Sequence, residues 1–505
     1  MKNDNSIFTS IVFPTAILLL SLISIVRAQD DEHAGWRQYR GPEGAGRYRS
    51  AESLPAELDL DSNLRWKTKT LPGHSSPIVV GNSIILTGYE PGKLSTLCFE
   101  FKTGKLRWQR DLEVKEFERT HPQHGPATPT PVSDGERVFV AFGSFGIIAY
   151  DLKGTELWRN ERPPRRNMFG SASSPIVVDS KLIMFAGNQH ESLVLALEPI
   201  TGNVLWERRK PGPASSWSTP VVRETINGPT LLIYEPFHLR CISLADGSDI
   251  WSVPGLADEP ITVPQLNSSL IIMTSYNMRL NQEVIGLPTF DELLEQCDAN
   301  DDGVIDLEES KANTSVLSRP DADGQGDHPL KMFFRMIDNN RDQKIQADEY
   351  PQLKAWVNSF EHANGFIALK PGASNTVPEL AWRHEIGVPE CPSPLIHDGK
   401  LFAVRNGGVV TCLDVETGNL FFQKRIASGG PYYAALVMGD DKIYLASQRG
   451  HLSVLSAVEQ PELLSTVDLG ESIHATPALA SGCLVVRSQK HLWLFQKRPS
   501  KKHRL

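Results

Sequence analysis

The sequence has few of the residues that build disulfide frameworks, zinc sites or nucleic-acid-binding surfaces. Its 505 residues include six cysteines, whose spacings match no zinc-binding motif. Four of them, Cys98, Cys241, Cys412 and Cys483, lie in strand-like apolar runs, where cysteine often acts as a small buried hydrophobe. We therefore expect free thiols. The formal net charge of −9 argues against a broad contact with nucleic acid, so we predict no nucleic-acid partner.

Long hydrophobic runs are also absent, except near the N-terminus. Lys2 is followed by an apolar core, Ile11–Val26, and by a small-residue site that ends at Ala28. This pattern predicts a secretory signal peptide that is removed after Ala28, with an uncleaved membrane anchor as the alternative. No cysteine lies near the end of the apolar run, so lipoprotein processing is not indicated. We expect an exported protein, periplasmic or extracellular, with no transmembrane segment after signal removal.

One pattern recurs along the chain and is clearest at Ser174–Trp206. A Ser-Pro pair opens three short apolar runs separated by turns, and a Thr-Gly turn then leads to a last run that ends at Trp206. Four short strands with turns between them predict an antiparallel four-stranded sheet. Such a sheet cannot bury both of its faces alone, so it must stack on copies of itself.

The copies are found by aligning the opening proline or its substitute. These positions are Pro77, Pro131, Pro175, Pro220, Pro264, Pro394, Ala435 and Pro477. The closing turn and tryptophan also recur, at Trp108, Trp158, Trp206 and Trp251. Eight four-stranded units of about 44 residues predict an all-β protein, an eight-bladed β-propeller. A long β-sandwich is the alternative, but it does not need a repeated turn with a tryptophan.

The two ends of the repeat region complement each other. The last copy, Pro477–Lys497, has room for three strands only. Near the N-terminus, Leu64–Leu71 resembles the fourth strand of a copy, with Trp66 in the tryptophan position. We predict that these segments pair into one sheet, which would close the ring and leave no open junction between its first and last blades.

One step between copies, from Pro264 to Pro394, spans 130 residues and contains an insertion near Asn281–Glu361, between the second and third strands of the fifth copy. Its first acidic loop, Asp298–Glu309, carries oxygen-bearing side chains at positions 1, 3, 5, 9 and 12, with Gly303 at position 6. Calcium takes six to eight oxygen ligands, which this spacing supplies. The predicted ligands are Asp298, Asn300, Asp302, Val304 through its backbone carbonyl, Asp306 directly or through water, and Glu309 bidentately.

A second loop, Asp338–Glu349, repeats the pattern with two departures. Its predicted ligands are Asp338, Asn340, Asp342, Lys344 through its backbone carbonyl, Gln346 and Glu349. Gln343 stands where glycine is usual, and a left-handed conformation there costs about 1 kcal/mol. Gln346 is uncharged at position 9. We therefore expect weaker calcium binding than in the first loop, and acidic turns that bind nothing are the alternative for both.

The two loops resemble a paired EF-hand unit. The resemblance implies that Ile305 and Ile345, at position 8 of each loop, lie side by side in a short strand pairing. A third acidic stretch, Asp321–Asp327, lacks a glutamate at its twelfth position and is interpreted as a linker. The helices predicted around the loops are Phe290–Cys297, Pro329–Ile337 and Glu349–Phe360.

These patterns divide the chain into segments. The predicted segments are a signal peptide (1–28), an N-terminal arm (29–63), a first part of the propeller (64–280), the inserted EF-hand pair (281–361), a second part of the propeller (362–497) and a basic tail (498–505). We expect the arm to pack over the propeller, and a ligand site made by Arg37 and Arg40 is the alternative.

The copies resemble the pyrroloquinoline-quinone (PQQ) type of β-propeller repeat over about Leu64–Lys497, apart from the insertion. The resemblance rests on openings such as Ser76-Pro77 and on the Thr-Gly–strand–Trp endings. The family contains quinone-dependent alcohol and sugar dehydrogenases. It also contains non-enzymatic scaffolds, such as the bacterial lipoprotein that assists outer-membrane β-barrel assembly.

Several hallmarks of the dehydrogenases are missing. Methanol-dehydrogenase-like members carry a disulfide between adjacent cysteines beside the cofactor, and no two cysteines here are adjacent. No catalytic aspartate with a calcium-binding set can be assigned at the channel. We therefore predict calcium as the cofactor and an exported, non-catalytic binding or scaffolding protein, without PQQ and without catalytic residues. A PQQ-dependent oxidoreductase is the alternative, and a hydrolase or lyase that uses channel residues is a third possibility.

The loops between copies are where we expect partners to bind. Three of them carry polar, basic or aromatic residues that could line the mouth of a central channel: His121–Gly125, Arg162–Arg166 and Pro431–Tyr433. We expect the partners to be proteins or other components of the cell envelope.

Overall fold

The computed structural model describes residues 35–49, 52–121, 124–162, 167, 169–212, 214–277, 287–312, 314–317, 328–358, 364–372 and 376–497. The predicted signal peptide, the basic tail, most of the Arg162–Arg166 loop and the acidic stretch Asp321–Asp327 lie outside these residues.

The described chain forms eight four-stranded antiparallel sheets, so the prediction of an all-β, eight-bladed propeller is confirmed. The first strand is β1 (Leu64–Lys69), which pairs with a strand near the C-terminus and belongs to blade 8. Blade 1 holds β2 (Ile78–Val80), β3 (Ser83–Glu90), β4 (Lys93–Glu100) and β5 (Leu106–Glu113). Blade 2 holds β6 (Val132–Ser133), β7 (Arg137–Phe142), β8 (Gly146–Asp151) and β9 (Glu156–Glu161). Blade 3 holds β10 (Ile176–Val178), β11 (Lys181–Phe185), β12 (Glu191–Leu197) and β13 (Val204–Pro211).

Blade 4 holds β14 (Val221–Arg223), β15 (Thr230–Glu235), β16 (His238–Ser243) and β17 (Asp249–Pro254). Blade 5 begins with β18 (Gln265–Leu266) and β19 (Ile271–Ser275). The insertion then contains α1 (Phe290–Cys297), β20 (Ile305–Asp306), β21 (Ser315–Leu317), β22 (His328–Pro329), α2 (Leu330–Ile337), β23 (Lys344–Ile345) and α3 (Pro351–Asn358). Blade 5 ends with β24 (Gly365–Lys370) and β25 (Glu379–His384).

Blade 6 holds β26 (Leu395–His397), β27 (Lys400–Arg405), β28 (Val409–Asp414) and β29 (Leu420–Arg425). Blade 7 holds β30 (Val437–Gly439), β31 (Lys442–Ala446), β32 (His451–Ser456) and β33 (Leu463–Asp468). Blade 8 holds β34 (Ala478–Ala480), β35 (Cys483–Arg487) and β36 (His491–Gln496), and β1 pairs with β36 as its fourth strand.

Strand direction defines two faces of the ring. Because neighbouring strands are antiparallel, the connection between the second and third strands of a blade lies at the same end as the connection to the next blade. We call this end the upper face, and the end with the Thr-Gly turns the lower face. The insertion joins β19 to β24, so it stands on the upper face together with the loops that lead into the first strands.

In the described chain, the repeated tryptophan links five of the blades to the blade that follows. Nε1 of Trp158 donates a hydrogen bond to the carbonyl of Pro199 at 2.9 Å, and the indole packs against Gly202 in the next Thr-Gly turn. The same contact is made by Trp66 with Phe101 and Gly104, Trp108 with Leu152 and Gly154, Trp206 with Leu244 and Gly247, and Trp382 with Val415 and Gly418. The turn and the tryptophan of the sequence repeat are therefore two halves of one inter-blade contact.

We expect Gly202→Ala to lower the melting temperature more than Gly92→Ala does. Both glycines have positive φ, +74° and +77°, so each alanine costs about 1–2 kcal/mol of backbone strain. A Cβ at Gly202 would lie 2.5 Å from the ring of Trp158, which adds about 1–3 kcal/mol of overpacking. A Cβ at Gly92 would meet no atom within 4 Å. Thermal unfolding followed by circular dichroism measures both variants. Equal decreases in melting temperature would contradict a role of Gly202 in the packing of Trp158.

A ring of hydroxyl groups joins the first strands around the axis. The amide of the residue before the opening proline donates to the hydroxyl at the same position of the next blade, as Ser76 N does to Thr130 Oγ1 at 3.0 Å. Equivalent bonds run from Thr130 to Ser174, Ser174 to Thr219, Val263 to Ser393, Ala435 to Thr476 and Thr476 to Ser76. Blades 5 and 7 carry Val263 and Ala435 at this position and offer no hydroxyl. The Ser/Thr-Pro motif thus has an inter-blade hydrogen-bonding role.

This ring corrects the alignment of the seventh copy. The backbone amide of Ala435 donates the inter-blade hydrogen bond to Thr476 Oγ1, so Ala435 holds the position that serine or threonine holds in other blades. Strand β30 begins at Val437. Leu436 therefore takes the place of the opening proline, and the alignment with Ala435 was wrong by one residue. Alanine and leucine carry no turn signal that would have distinguished the two registers.

The N-terminal arm crosses the centre of the ring. The carbonyl of Trp36 accepts from Val79 N in blade 1, whereas Met438 N in blade 7 donates to the carbonyl of Gly46. Between these points lies Arg40, which is fully buried, and its Nη2 donates to the carbonyl of Pro394 at 2.6 Å. The arm therefore packs against first strands on both sides of the axis, and Arg40 serves as an internal anchor.

The insertion has a hydrophobic core of its own. Its buried apolar cluster consists of Leu293, Cys297, Ile305, Val316, Leu330, Phe333, Phe334, Ile337, Ile345, Tyr350 and Leu353. Every described member of this cluster lies within the insertion. Thr289 and Glu292 form a capping box that begins α1 at its predicted position. Two helices begin one or two residues later than predicted, because Pro329 caps α2 and Pro351 opens α3.

Candidate functional site

The first acidic loop folds around the side chains that the sequence singled out. The two carboxylate oxygens of Asp298 accept hydrogen bonds from the amides of Asp302 and Gly303, at 3.3 and 2.9 Å. Oδ1 of Asn300 accepts from the amide of Asp302 at 2.8 Å. Burial would raise the pKa of Asp298, but the amide hydrogen bonds outweigh it and hold the pKa below its usual range. The carboxylate is therefore ionised at neutral pH, as a metal ligand must be.

Glu309 closes this loop by bridging its two ends. Its Oε1 accepts from the amide of Ala299 at 3.0 Å and its Oε2 from the amide of Asp306 at 2.9 Å. The carboxylate of Asp306 in turn accepts from the amide of Glu309 at 2.9 Å, so both ends of the loop are held together.

The donor set of the first loop suits a calcium ion. One ligand oxygen from each of Asp298, Asp302 and Glu309 lies within 4.8 Å of the others. Two oxygens 4.8 Å apart can both reach an ion about 2.4 Å from each, which is within the calcium–oxygen range. Within the described part of the chain, no other three acidic, histidine or cysteine side chains meet this closely.

The second loop has the same pattern of backbone hydrogen bonds as the first, with a non-glycine residue at position 6. Its Asp338 accepts from the amides of Asp342 and Gln343, both at 3.1 Å, as Asp298 does in the first loop. Gln343 adopts a φ of +68°, close to the +77° of Gly303, so the side chain at this position carries the expected strain. The amide nitrogen of Gln346 donates to Asp342 Oδ2 at 3.0 Å and occupies a predicted ligand oxygen. These features agree with weaker binding, which stays a prediction.

The two loops contact each other through a two-stranded antiparallel pair. Ile305 in β20 lies opposite Ile345 in β23, and both are fully buried. The same register sets Asp306 opposite Lys344. The Lys344 ammonium reaches Asp302 Oδ2 at 3.7 Å, so a side chain of the second loop touches a predicted ligand of the first.

At the mouth of the channel on the upper face, three rings form a column. His474 stacks on His74 with ring centroids 4.3 Å apart, and Tyr433 stacks on His474 at 5.2 Å. Each residue lies two positions before the inter-blade hydroxyl position of its blade, so the repeat itself brings them together. On blades 3 and 4, Phe169 packs against Trp217 with centroids 5.3 Å apart.

Three histidines at the mouth, His74, His124 and His474, are neutral at physiological pH. Burial lowers the pKa of His474 to about 4, and burial with the neighbouring His121 and His474 lowers that of His124 to about 4. The pKa of His74 falls to about 2, mainly through burial, with contributions from His474, His124 and Arg487. These three histidines therefore contribute neutral aromatic rings to this side of the mouth.

An acidic group faces the mouth from blades 4 to 6. Burial, followed by repulsion from Asp258 and Glu390, raises the pKa of Glu259 to about 7. Repulsion between these carboxylates shows that they influence one another, yet they do not converge as the first loop does.

The structure brings Asp298, Asp302 and Glu309 of the first loop together, and it leaves the described parts of the three predicted mouth loops on the upper face. Residues 122–123 of His121–Gly125 and 163–166 of Arg162–Arg166 lie outside the described residues. The stacked pair His74 and His474 was missed from the sequence. Aligning the positions just before each Ser/Thr-Pro motif would have found it, because the aromatic residues recur there. No described helix has the length and apolar character to span a membrane.

Comparison with known proteins agrees with this geometry. A family model described as "Outer membrane protein assembly factor BamB" matches residues 51–251. BamB from Moraxella catarrhalis is 11% identical, with a TM-score of 0.51 over 87% of this chain and 100% of that chain. Quinohemoprotein alcohol dehydrogenase from Comamonas testosteroni is 13% identical, with a TM-score of 0.54 over 95% of this chain and 83% of that chain. No curated protein matches the chain.

At these identities the structural likenesses show the fold alone. Together with the matched family model, they support a β-propeller of the PQQ type, and the resemblance drawn from the repeat is confirmed to that extent.

Proposed function

We propose that this chain is an exported, calcium-binding β-propeller that acts as a non-catalytic binding or scaffolding protein. The convergence of Asp298, Asp302 and Glu309 within 4.8 Å is the observation that carries the proposal. In it, calcium binds the first loop through the predicted ligands from Asp298 to Glu309, and more weakly the second loop from Asp338 to Glu349. The insertion is an EF-hand pair whose order depends on the ion.

The ion has a structural role in this proposal, because of where the protein works. An exported protein meets calcium at levels above those of the cytosol, and EF-hand dissociation constants run from about 10⁻⁹ to 10⁻³ M. A site of about micromolar affinity would be filled almost permanently in such surroundings and could not signal. Calcium would therefore hold the insertion folded on the upper face.

The upper face is the proposed binding surface. It carries the insertion, the inter-blade loops and the column of Tyr433, His474 and His74, whereas the N-terminal arm packs within the ring. The matched family model is described as an outer-membrane protein assembly factor, which favours a protein partner in the cell envelope. A PQQ-dependent oxidoreductase is the alternative, and an electron-acceptor assay distinguishes it from the scaffold.

Two measurements test this function on the mature chain. Calorimetric titration with calcium should release heat with one tighter and one weaker phase. Protein incubated with PQQ and calcium should not reduce an artificial electron acceptor when alcohols or sugars are supplied, while a quinoprotein dehydrogenase assayed in parallel does. Dye reduction that requires PQQ and disappears when the cofactor is removed would replace the scaffold with the oxidoreductase.

A further inference from the structure

The side chain of Lys344 connects the two loops, although the spacing of calcium ligands in either loop does not require a lysine at this position. Its backbone carbonyl is a predicted ligand of the second loop, but its side chain turns toward the first loop. The ammonium lies 3.7 Å from Asp302 Oδ2, an oxygen that also accepts from Asn300 Nδ2 at 3.3 Å. The strand pairing sets this position, because Lys344 lies directly opposite Asp306.

The charge around Lys344 is unequal between the loops. The first loop, residues 298–309, contains six acidic residues and no basic one, whereas the second, residues 338–349, contains four acidic residues together with Arg341 and Lys344. Val304 is the residue of the first loop that corresponds to Lys344. Extending the strand register by one residue sets Val304 opposite Gln346, so the first loop places no charged side chain beside the second at this position. Only the first loop therefore receives a cation from its neighbour.

We propose that Lys344 is a tethered competitor cation that sets the calcium affinity and the salt dependence of the first loop. The inference rests on the proposed calcium site and deepens it. Calcium bound by Asp302 would lie close to the ammonium, and the two positive charges repel each other. Binding therefore requires Lys344 to move away from Asp302, and the free energy of that step weakens the site.

The size of the effect follows from the exposure of the pair. The side chains of Lys344 and Asp302 are 47% and 40% exposed, so water and salt screen their interaction. An isolated surface ion pair of this kind adds little to folding stability. A divalent ion feels twice the repulsion of a monovalent one, so we expect a change in calcium affinity of about two- to tenfold.

The test is calorimetric titration with calcium of the full mature chain, with Glu349→Gln in every protein to weaken the second loop. Adding Lys344→Met should tighten calcium binding at low salt, and high salt should reduce the gain. Lys344→Arg keeps the charge and should leave the affinity near that of the parent. Lys331→Met removes an exposed lysine seven residues before the second loop and controls for net charge. Equal affinities for Lys344→Met and the parent would overturn the role of Lys344.

A second background keeps the test decisive if Glu349→Gln unfolds the insertion. Lys344→Met alone, with the second loop intact, should tighten the stronger of the two calcium phases by the same factor. Circular dichroism of each variant reports whether the helices are present. Absence of calcium heat in the unmodified chain would overturn the proposed function itself, whereas heat with no shift in Lys344→Met would overturn only this inference.

Discussion

Removing β1 should make the protein aggregate. Without Leu64–Lys69, blade 8 keeps three strands and β36 presents an unpaired edge. Blade 1 also loses the indole of Trp66, which donates to the carbonyl of Phe101 at 3.0 Å and packs against Gly104. Exposed strand edges pair readily with other chains, so we expect oligomers and a lower melting temperature.

Two truncations of the mature chain separate the strand from the arm that precedes it. A chain that begins at Asn63 lacks the arm but keeps β1, whereas a chain that begins at Thr70 lacks both. Light scattering after size exclusion and thermal melting compare them. We expect the first to keep the oligomeric state of the full chain with reduced stability, because it loses buried Trp36 and Arg40. If the second also kept that oligomeric state and melted at the same temperature, β1 would not close the ring.

Chelating calcium should unfold the insertion while the propeller stays folded. The helices α1, α2 and α3 pack on a core that shares no described residue with the propeller clusters. Seven predicted carboxylate ligands would repel one another without the ion: Asp298, Asp302, Asp306 and Glu309 in the first loop, and Asp338, Asp342 and Glu349 in the second. Circular dichroism before and after addition of chelator should therefore lose helical signal and keep the β signal.

Single substitutions assign this loss to the first loop. Asp298→Ala and Glu309→Ala should each weaken calcium binding by more than about tenfold, because even partners outside the coordination shell cost tenfold or more. Glu308→Ala removes the neighbouring carboxylate, which is not a predicted ligand, and should leave binding nearly unchanged. Collapse of the whole β signal on chelation would show that the two parts do not fold independently.

The architecture could be predicted because its signals are local. Alternating apolar runs, Thr-Gly turns and a fixed repeat length determine four-stranded units wherever they occur, and eight such units need a ring. The acidic loops could be recognised for the same reason, since all six predicted ligands of the first lie within twelve consecutive residues. Helix starts were less certain, because Pro329 and Pro351 act through capping rather than periodicity.

The sequence by itself therefore determined the number of blades, the position of the insertion and the ligand spacing of its loops. Only the tertiary structure decided which partner each repeated residue meets. The tryptophan contacts the next blade, Leu436 takes the position assigned to Ala435, and His74 stacks on His474 from the far end of the chain. These contacts join residues 33 or more positions apart, and they exist only once the ring has closed. The periodicity within a repeat does not show which residues of neighbouring blades meet. That is decided by how the blades pack against one another in the ring.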